Sequence, residues 1–141
     1  MKNATYNSKY KRQGFVLINL LLSVLVMVLL AAVMTNYAPS FFEAGKKDKA
    51  LADTATLGGL ISQYEMEVGT YPTKLEDLTA KVGQYGPWIK SVPDDPFNPH
   101  TDYQYSFSDE GYVVFSIGAN GTPESSISNG ISGDDLGFQG F

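Results

Sequence analysis

The most prominent pattern along the chain is an uninterrupted apolar run from Phe15 to about Asn36, which contains no charged residue. Polar side chains enter this run only at Asn19, Ser23, Thr35 and Asn36. A helix of about 22 residues is about 33 Å long, enough to cross a hydrocarbon core of about 30 Å. Because the run is apolar on every face, it predicts a membrane-spanning helix rather than the amphipathic helix of a soluble domain.

Beyond Pro39, which is expected to kink or loosen the helix, the pattern becomes amphipathic. The apolar residues of one face recur at helical spacing, at Leu51, Leu57, Ile61, Tyr64 and Val68. This spacing predicts a second helical segment over about 42–68, continuous or nearly so with the first. The pair Gly58-Gly59 lies in its middle, and close packing against a sheet is the expected reason for it, since glycine lowers helix propensity.

The end of this helix is predicted at Gly69, in the segment Gly69-Thr70-Tyr71-Pro72, because glycine favours a left-handed cap and proline cannot continue the helix. Thr73 and Glu76 have the spacing of a capping box. A short helix is therefore predicted from Lys74 to about Lys81, and it should bury its two leucines, Leu75 and Leu78.

Two strands are predicted in the second half of the chain from alternating apolar residues. The inward positions are Tyr103, Tyr105 and Phe107 in one strand and Val113, Phe115 and Ile117 in the other. Asp109-Glu110-Gly111 is a hairpin turn in which glycine supplies the positive φ. The predicted fold class is α+β, with a long N-terminal helix, half membrane-spanning and half amphipathic, packed on a small antiparallel sheet. The aromatic residues are interpreted as sheet packing rather than as a ligand platform.

Charge and composition predict the orientation of the chain in the membrane and argue against two classes of function, nucleic-acid binding and catalysis. Residues 1–14 carry four basic residues and no acid, which keeps that end cytoplasmic and directs the rest outward. Without these residues, six Lys+Arg remain against 15 Asp+Glu, a net charge of −9 that argues against nucleic-acid binding. The chain has no cysteine, one histidine (His100, expected at the surface) and no catalytic motif, so we expect no enzyme activity.

The junction Lys11-Arg12-Gln13-Gly14-Phe15 resembles the leader of type IV pilins and type II secretion pseudopilins. This resemblance implies cleavage by a prepilin peptidase between Gly14 and Phe15 and N-methylation of Phe15. The implied organisation is a leader (1–14), a transmembrane and assembly helix (15–41) and a globular pseudopilin domain (42–141) with a C-terminal loop (118–141). An uncleaved signal anchor is the alternative. Asn19 stands where the family usually has an assembly glutamate, and it can hydrogen-bond but cannot neutralise a neighbour's amine.

Two further segments resemble the major pseudopilin. One is Pro93-Asp94-Asp95-Pro96-Phe97, whose adjacent carboxylates could suggest acid–base or metal chemistry but are interpreted as turn residues. The other combines 116–121 with 134–138 and resembles the family's calcium loop. The resemblance implies Ca²⁺ ligands at the Ile117 carbonyl, Asn120, Asp134 and Asp135, although the loop between them is several residues longer here. A solvated acidic tail is the alternative.

The function implied is a structural subunit of a type II secretion pseudopilus, anchored once in the bacterial inner membrane with its domain periplasmic or extracellular. Self-assembly into a helical fibre would use the N-terminal helix. The implied partners are the inner-membrane secretion platform, minor pseudopilins and the prepilin peptidase. The alternatives are a type IV pilin, a competence-type pseudopilin, or a monomeric membrane-anchored calcium-binding domain.

Overall fold

A computed structural model of the chain describes residues 8–141; at 8–14, 36, 38 and 39 the description covers the backbone alone. Helix α1 spans Ser8–Val68 and a 3-10 helix spans Leu75–Thr79. Three strands follow: β1 (Gln104–Ser108), β2 (Gly111–Ser116) and β3 (Leu136–Gly140). The chain divides into two compact units between Phe42 and Glu43. Residues 1–7 of the predicted leader lie outside the described residues.

The first unit contains a segment of α1, Phe15–Thr35, with a mean hydropathy of 3.0 and none of its residues buried. Its length and composition are those of a membrane-spanning helix. Its two hydroxyl side chains bond to their own helix: Ser23 Oγ donates to the Leu20 carbonyl at 2.8 Å, and Thr35 Oγ1 donates to the Ala32 carbonyl at 3.0 Å. These hydroxyls therefore need no outside partner in an apolar environment. The backbone remains helical through Pro39, so the helix does not end there.

The second unit buries one face of α1 between residues 43 and 68, as the apolar spacing predicts. Leu57 and Ile61 are fully buried and Tyr64 is nearly so. The predicted burial of Leu51 is wrong, because its side chain is 48% exposed. Thr54 is buried instead, and its hydroxyl donates to the Ala50 carbonyl at 2.7 Å. The small residues on this turn therefore pack against the rest of the unit in place of the leucine.

The predicted end of α1 at Gly69 is confirmed, but the predicted capping side chain of the next helix is wrong. Gly69 has φ +88° and its N–H donates to the Glu65 carbonyl at 2.8 Å, which ends the helix. Asp77, not Glu76, caps the next segment: its Oδ2 accepts from Thr73 N at 2.9 Å and Thr73 Oγ1 at 2.6 Å. A shorter side chain one residue later suits the tight 3-10 turn. Its two leucines, Leu75 and Leu78, are buried as predicted.

The sheet is antiparallel with strand order β1-β2-β3. The predicted face of β2 is wrong, because Tyr112 and Val114 join the core cluster formed with α1, whereas Val113 and Phe115 do not. The hydroxyl of Tyr112 donates to the Gly58 carbonyl at 2.6 Å. Every residue of β2 is buried, so both of its faces are covered.

The second face of the sheet lies under the segment between β2 and β3. A Cβ on Gly137 would lie 2.5 Å from Phe115 Cβ and 2.8 Å from Ile131 Cδ1, which places Ile131 against Phe115. Gln139 Nε2 also donates to the Ile127 carbonyl at 3.1 Å. The C-terminal segment is thus folded onto the sheet, and its last residues form a third strand that the sequence pattern does not predict.

Candidate calcium-binding loop

The loop that connects β2 to β3, residues 117–135, contains four residues of the predicted calcium site. It begins where Ser116 ends β2, and its first N–H groups are held by side chains. Ile117 N donates to Asp95 Oδ2 at 3.3 Å, and Gly118 N donates to Ser116 Oγ at 3.3 Å. Gly118 has φ +65°, and a Cβ there would overlap the backbone oxygen of Asp134. Glycine at this position lets the two ends of the loop meet.

Asp134 closes the loop onto its own beginning. Its Oδ2 accepts from Ala119 N at 2.8 Å and from Asn120 N at 2.9 Å. Two backbone donors on one carboxylate oxygen make a charge-assisted contact, which is stronger than a neutral hydrogen bond. The structure therefore brings together Asp134 and Asn120, two of the four residues of the predicted site.

Asp135 organises the middle of the loop in the same way. Its side chain is buried, with the residue 5% exposed. Its Oδ2 accepts from Glu124 N at 2.8 Å and from Ser125 N at 2.7 Å. The adjacent aspartates thus face different stretches of the loop, one stretch at 119–120 and the other at 124–125.

Each aspartate keeps one oxygen without a protein partner. Asp134 Oδ1 and Asp135 Oδ1 are buried and accept no hydrogen bond in the described part of the chain. A buried carboxylate oxygen without a donor is costly, and a bound cation is one way to remove that cost. Ca²⁺ prefers carboxylate and carbonyl oxygens, so these two atoms fit the chemistry of a calcium site.

The remaining predicted ligands are placed differently. Asn120 Oδ1 accepts from Thr122 N at 2.7 Å, a local turn that uses one of the two lone pairs of the oxygen expected to bind the metal. Among residues 8–141, no three Asp, Glu, His or Cys side chains group around one point. A cation here would therefore depend on Asp134 and Asp135 together with backbone carbonyls such as that of Ile117.

Sequence reasoning missed Glu124, whose carboxylate lies in the same loop. Its Oε2 accepts from Asn120 Nδ2 at 3.4 Å and from Asp134 N at 3.3 Å. The spacing between Glu124 and the aspartates gives no recognisable motif, because the loop is folded by backbone-to-carboxylate contacts. Only the structure places this acid beside two of the predicted ligands.

The segment 93–97 leads into a turn, in which Asn98 N donates to the Asp95 carbonyl at 3.1 Å, but the Asp95 side chain also has contacts outside this turn. Asp95 is 2% exposed, whereas the neighbouring Asp94 has a side chain that is 60% exposed. His100 has a side chain that is 94% exposed, which confirms its surface position. Its Nδ1 lies 4.0 Å from Asp94 Oδ2.

The predicted assembly residues lie in the first unit. Phe15 is 74% exposed and Asn19 is also exposed, so both are accessible in the isolated chain. The backbone at Gly14 is helical.

Comparison with known sequences decides the family. Residues 40–132 match the family described as type II secretion system (T2SS), protein G. The chain belongs to this family. It is therefore a pseudopilin of type II secretion, a structural subunit of the pseudopilus, and its relatives are structural proteins.

Individual relatives of this pseudopilin carry the same description. The type II secretion system core protein G of Klebsiella pneumoniae is 27% identical over 140 residues, covering 90% of this chain and 94% of the relative. The core protein G of Vibrio cholerae serotype O1 is 30% identical over 123 residues, covering 79% and 83%. The core protein G of Xanthomonas campestris pv. campestris is 29% identical over 120 residues, covering 79% and 84%. Similarity thus extends over most of the chain.

Proposed function

We propose that this pseudopilin polymerises through residues 15–41, after cleavage between Gly14 and Phe15, into a periplasmic fibre that drives protein export. The observation that carries the proposal is the segment Phe15–Thr35, uncharged, with a mean hydropathy of 3.0 and no buried residue. Burying a large apolar side chain contributes about 1.5–3 kcal/mol relative to water. Such a surface requires either lipid or other copies of the helix to cover it.

The energetics indicate why assembly needs other components. Lipid tails are as apolar as leucine, so moving the helix from lipid to a fibre core gains little from the hydrophobic effect. The domain carries no nucleotide-binding motif in its sequence. We therefore assign the driving force to a cytoplasmic ATPase acting through the inner-membrane secretion platform, with minor pseudopilins as further partners. The basic leader supports a cytoplasmic N-terminus and a periplasmic or extracellular domain.

Processing is tested by the intact mass of the protein recovered from cells that contain a prepilin peptidase. The wild-type chain should begin at Phe15 and carry one added methyl group. Gly14→Leu should leave the leader attached, because a branched side chain fills the space that glycine leaves at the cut. Gln13→Leu is the control, since it adds a similar side chain one residue earlier. A wild-type protein that still begins at Met1 would show that the leader is an uncleaved anchor.

Assembly is tested by cross-linking in the membrane and in the secretion-competent cell. Cysteine pairs introduced within 15–41 of this cysteine-free chain should give a ladder of oligomers. A monomeric anchored domain would give a single band, and this result would contradict polymerisation.

We propose, in addition, that Ca²⁺ binds the loop 117–135 through Asp134 and Asp135, with the Ile117 carbonyl, and that Asn120 contributes to the same site. The two unpartnered buried oxygens support this proposal. Asn120 Oδ1 accepts one hydrogen bond, from Thr122 N, and its second lone pair is the one that would bind the metal. Bound calcium would neutralise adjacent carboxylates and fix the loop that covers the second face of the sheet.

The calcium site is tested by thermal unfolding of the mature protein in detergent, in millimolar calcium and in chelator. Calcium at a hundredfold excess over its dissociation constant should add about 2.7 kcal/mol to the free energy of unfolding. Asp135→Ala should remove most of this difference, and magnesium should substitute poorly because it requires a tighter octahedron. Asp109→Ala, an exposed acid in the β1–β2 turn, is the control. Equal melting temperatures for the wild type would leave the loop without a calcium role.

A further inference from the structure

Asp95 is a buried carboxylate that is not among the residues assigned to the calcium site. It is 2% exposed, and within residues 8–141 no Lys, Arg or His forms an ion pair with it. A buried carboxylate without a cation requires several hydrogen-bond donors to remain charged. The identity of those donors indicates what the residue does.

The donors come from two places that are distant in sequence. Asp95 Oδ1 accepts from Phe97 N at 2.9 Å, within its own turn, and from Ser116 Oγ at 2.8 Å. Asp95 Oδ2 accepts from Ile117 N at 3.3 Å. Its carboxylate therefore ties the turn 93–97 to the point where β2 passes into the loop.

The contacts of Asp95 continue directly into those of Asp134. Ser116 Oγ, oriented by Asp95, accepts from Gly118 N at 3.3 Å. The next two N–H groups, of residues 119 and 120, donate to Asp134 Oδ2. In the segment 116–120, residues 116 and 117 bond to Asp95, residues 119 and 120 bond to Asp134, and Gly118 between them bonds to Ser116. This segment contains two of the proposed calcium ligands.

We infer that Asp95 is a positioning residue for the calcium site. It bonds to Ile117 N directly and, through Ser116 Oγ, holds Gly118 N, so it fixes both peptides that flank Ile117. The Ile117 carbonyl is thereby presented to the cation together with Asp134 and Asp135. The inference rests on the calcium role proposed above. Asp95 acts through the backbone of 116–118 and does not contact the metal. A fixed carbonyl loses less conformational entropy on binding, so preorganisation appears as affinity.

The test compares Asp95→Asn with Asp94→Asn in the full mature protein in detergent. Both variants remove one negative charge from the same turn, but Asp94 is exposed and holds no part of the loop. Asparagine at 95 keeps one acceptor oxygen and replaces the other with a donor, so at least one of the contacts to Phe97 N, Ser116 Oγ and Ile117 N is lost. Calcium affinity is measured by titration calorimetry well below the melting temperature.

We expect Asp95→Asn to weaken calcium binding about tenfold, which corresponds to about 1.4 kcal/mol, and Asp94→Asn to change it less than twofold. Amide hydrogen exchange should accelerate at 116–120 in Asp95→Asn alone. A purely structural role would lower the melting temperature equally with and without calcium and leave the dissociation constant unchanged, and this result would overturn the inference.

A second variant guards against loss of folding. Ser116→Ala removes the hydroxyl that donates to Asp95 and accepts from Gly118 N, but it keeps the carboxylate and its bond to Ile117 N. It should weaken calcium binding about threefold. If Asp95→Asn does not fold, an unchanged affinity in Ser116→Ala overturns the inference. A wild-type protein that binds no calcium would remove the proposed site and the inference together, whereas normal binding in both variants would remove the inference alone.

Discussion

The pair Gly58-Gly59 offers a matched test of how α1 packs on the sheet. Both glycines lie in the helix between Glu43 and Val68, and replacing either by alanine should gain about 1 kcal/mol of helix propensity. Gly59 is exposed, and a Cβ there would have no atom within 4 Å. Gly58 is buried, and a Cβ there would overlap the ring of Phe138, with Phe138 Cε1 at 2.9 Å.

The two substitutions should therefore have different effects on stability. Gly59→Ala should raise the free energy of unfolding by about 0.5–1 kcal/mol, or about 2–8 °C in melting temperature for a unit of about 100 residues. Gly58→Ala makes the same gain but must displace the ring, which costs about 1–3 kcal/mol. Its net effect should lie between neutral and about 2 kcal/mol of destabilisation. The difference between the variants is thus about 1–3 kcal/mol.

The assay is thermal unfolding of the mature protein in detergent, followed by circular dichroism. A double-mutant cycle with Phe138→Ala identifies the cause, because Gly58→Ala should become stabilising once the ring is absent. Phe138→Ala should leave the effect of Gly59→Ala unchanged. Equal stabilisation by both glycine substitutions in the wild-type background would refute the argument that the ring of Phe138 requires a glycine at 58.

Three further outcomes are expected. Burial, and then the neighbouring carboxylate of Glu76, raises the pKa of Asp102, so the ionised side chain destabilises the fold at neutral pH. Asp102→Asn should therefore raise the melting temperature at neutral pH, with a gain in stability of less than about 1 kcal/mol. This gain should disappear as the pH falls through the folded-state pKa of Asp102. Burial alone would raise the pKa of Asp77, but hydrogen bonds, chiefly from Thr73, lower it. Asp77→Asn should reduce the free energy of unfolding by about 1 kcal/mol at pH values above the unfolded-state pKa. In melting curves recorded at decreasing pH, the difference between wild type and variant should vanish as acid protonates Asp77 in the folded wild type. Asn19→Glu should assemble at least as well as the wild type if Asn19 is a tolerated variant, because a carboxylate can neutralise a neighbour's amine, and fibre yield that instead falls would identify a specialised minor or tip subunit.

The local elements of this pseudopilin follow from short-range sequence signals. The uncharged run beginning at Phe15 determines an apolar helix, because its few polar residues are too sparse to form a polar face. Gly69 determines where α1 ends, because its left-handed φ is costly for other residues. The spacing of Leu75 and Leu78 is enough to predict that both side chains are buried.

Tertiary contacts decided what the pattern could not. In β2 both faces are covered, so apolar alternation carried no information about which face meets α1, and the hydrogen bond from Tyr112 to the Gly58 carbonyl selected it. The sequence pattern does not predict strand β3, because this Gly-rich segment lacks β-branched residues. The segment becomes extended by pairing with β2. The buried position of Asp95 depends on donors about twenty residues away, and those become neighbours only when the turn and the strand end meet in the folded chain.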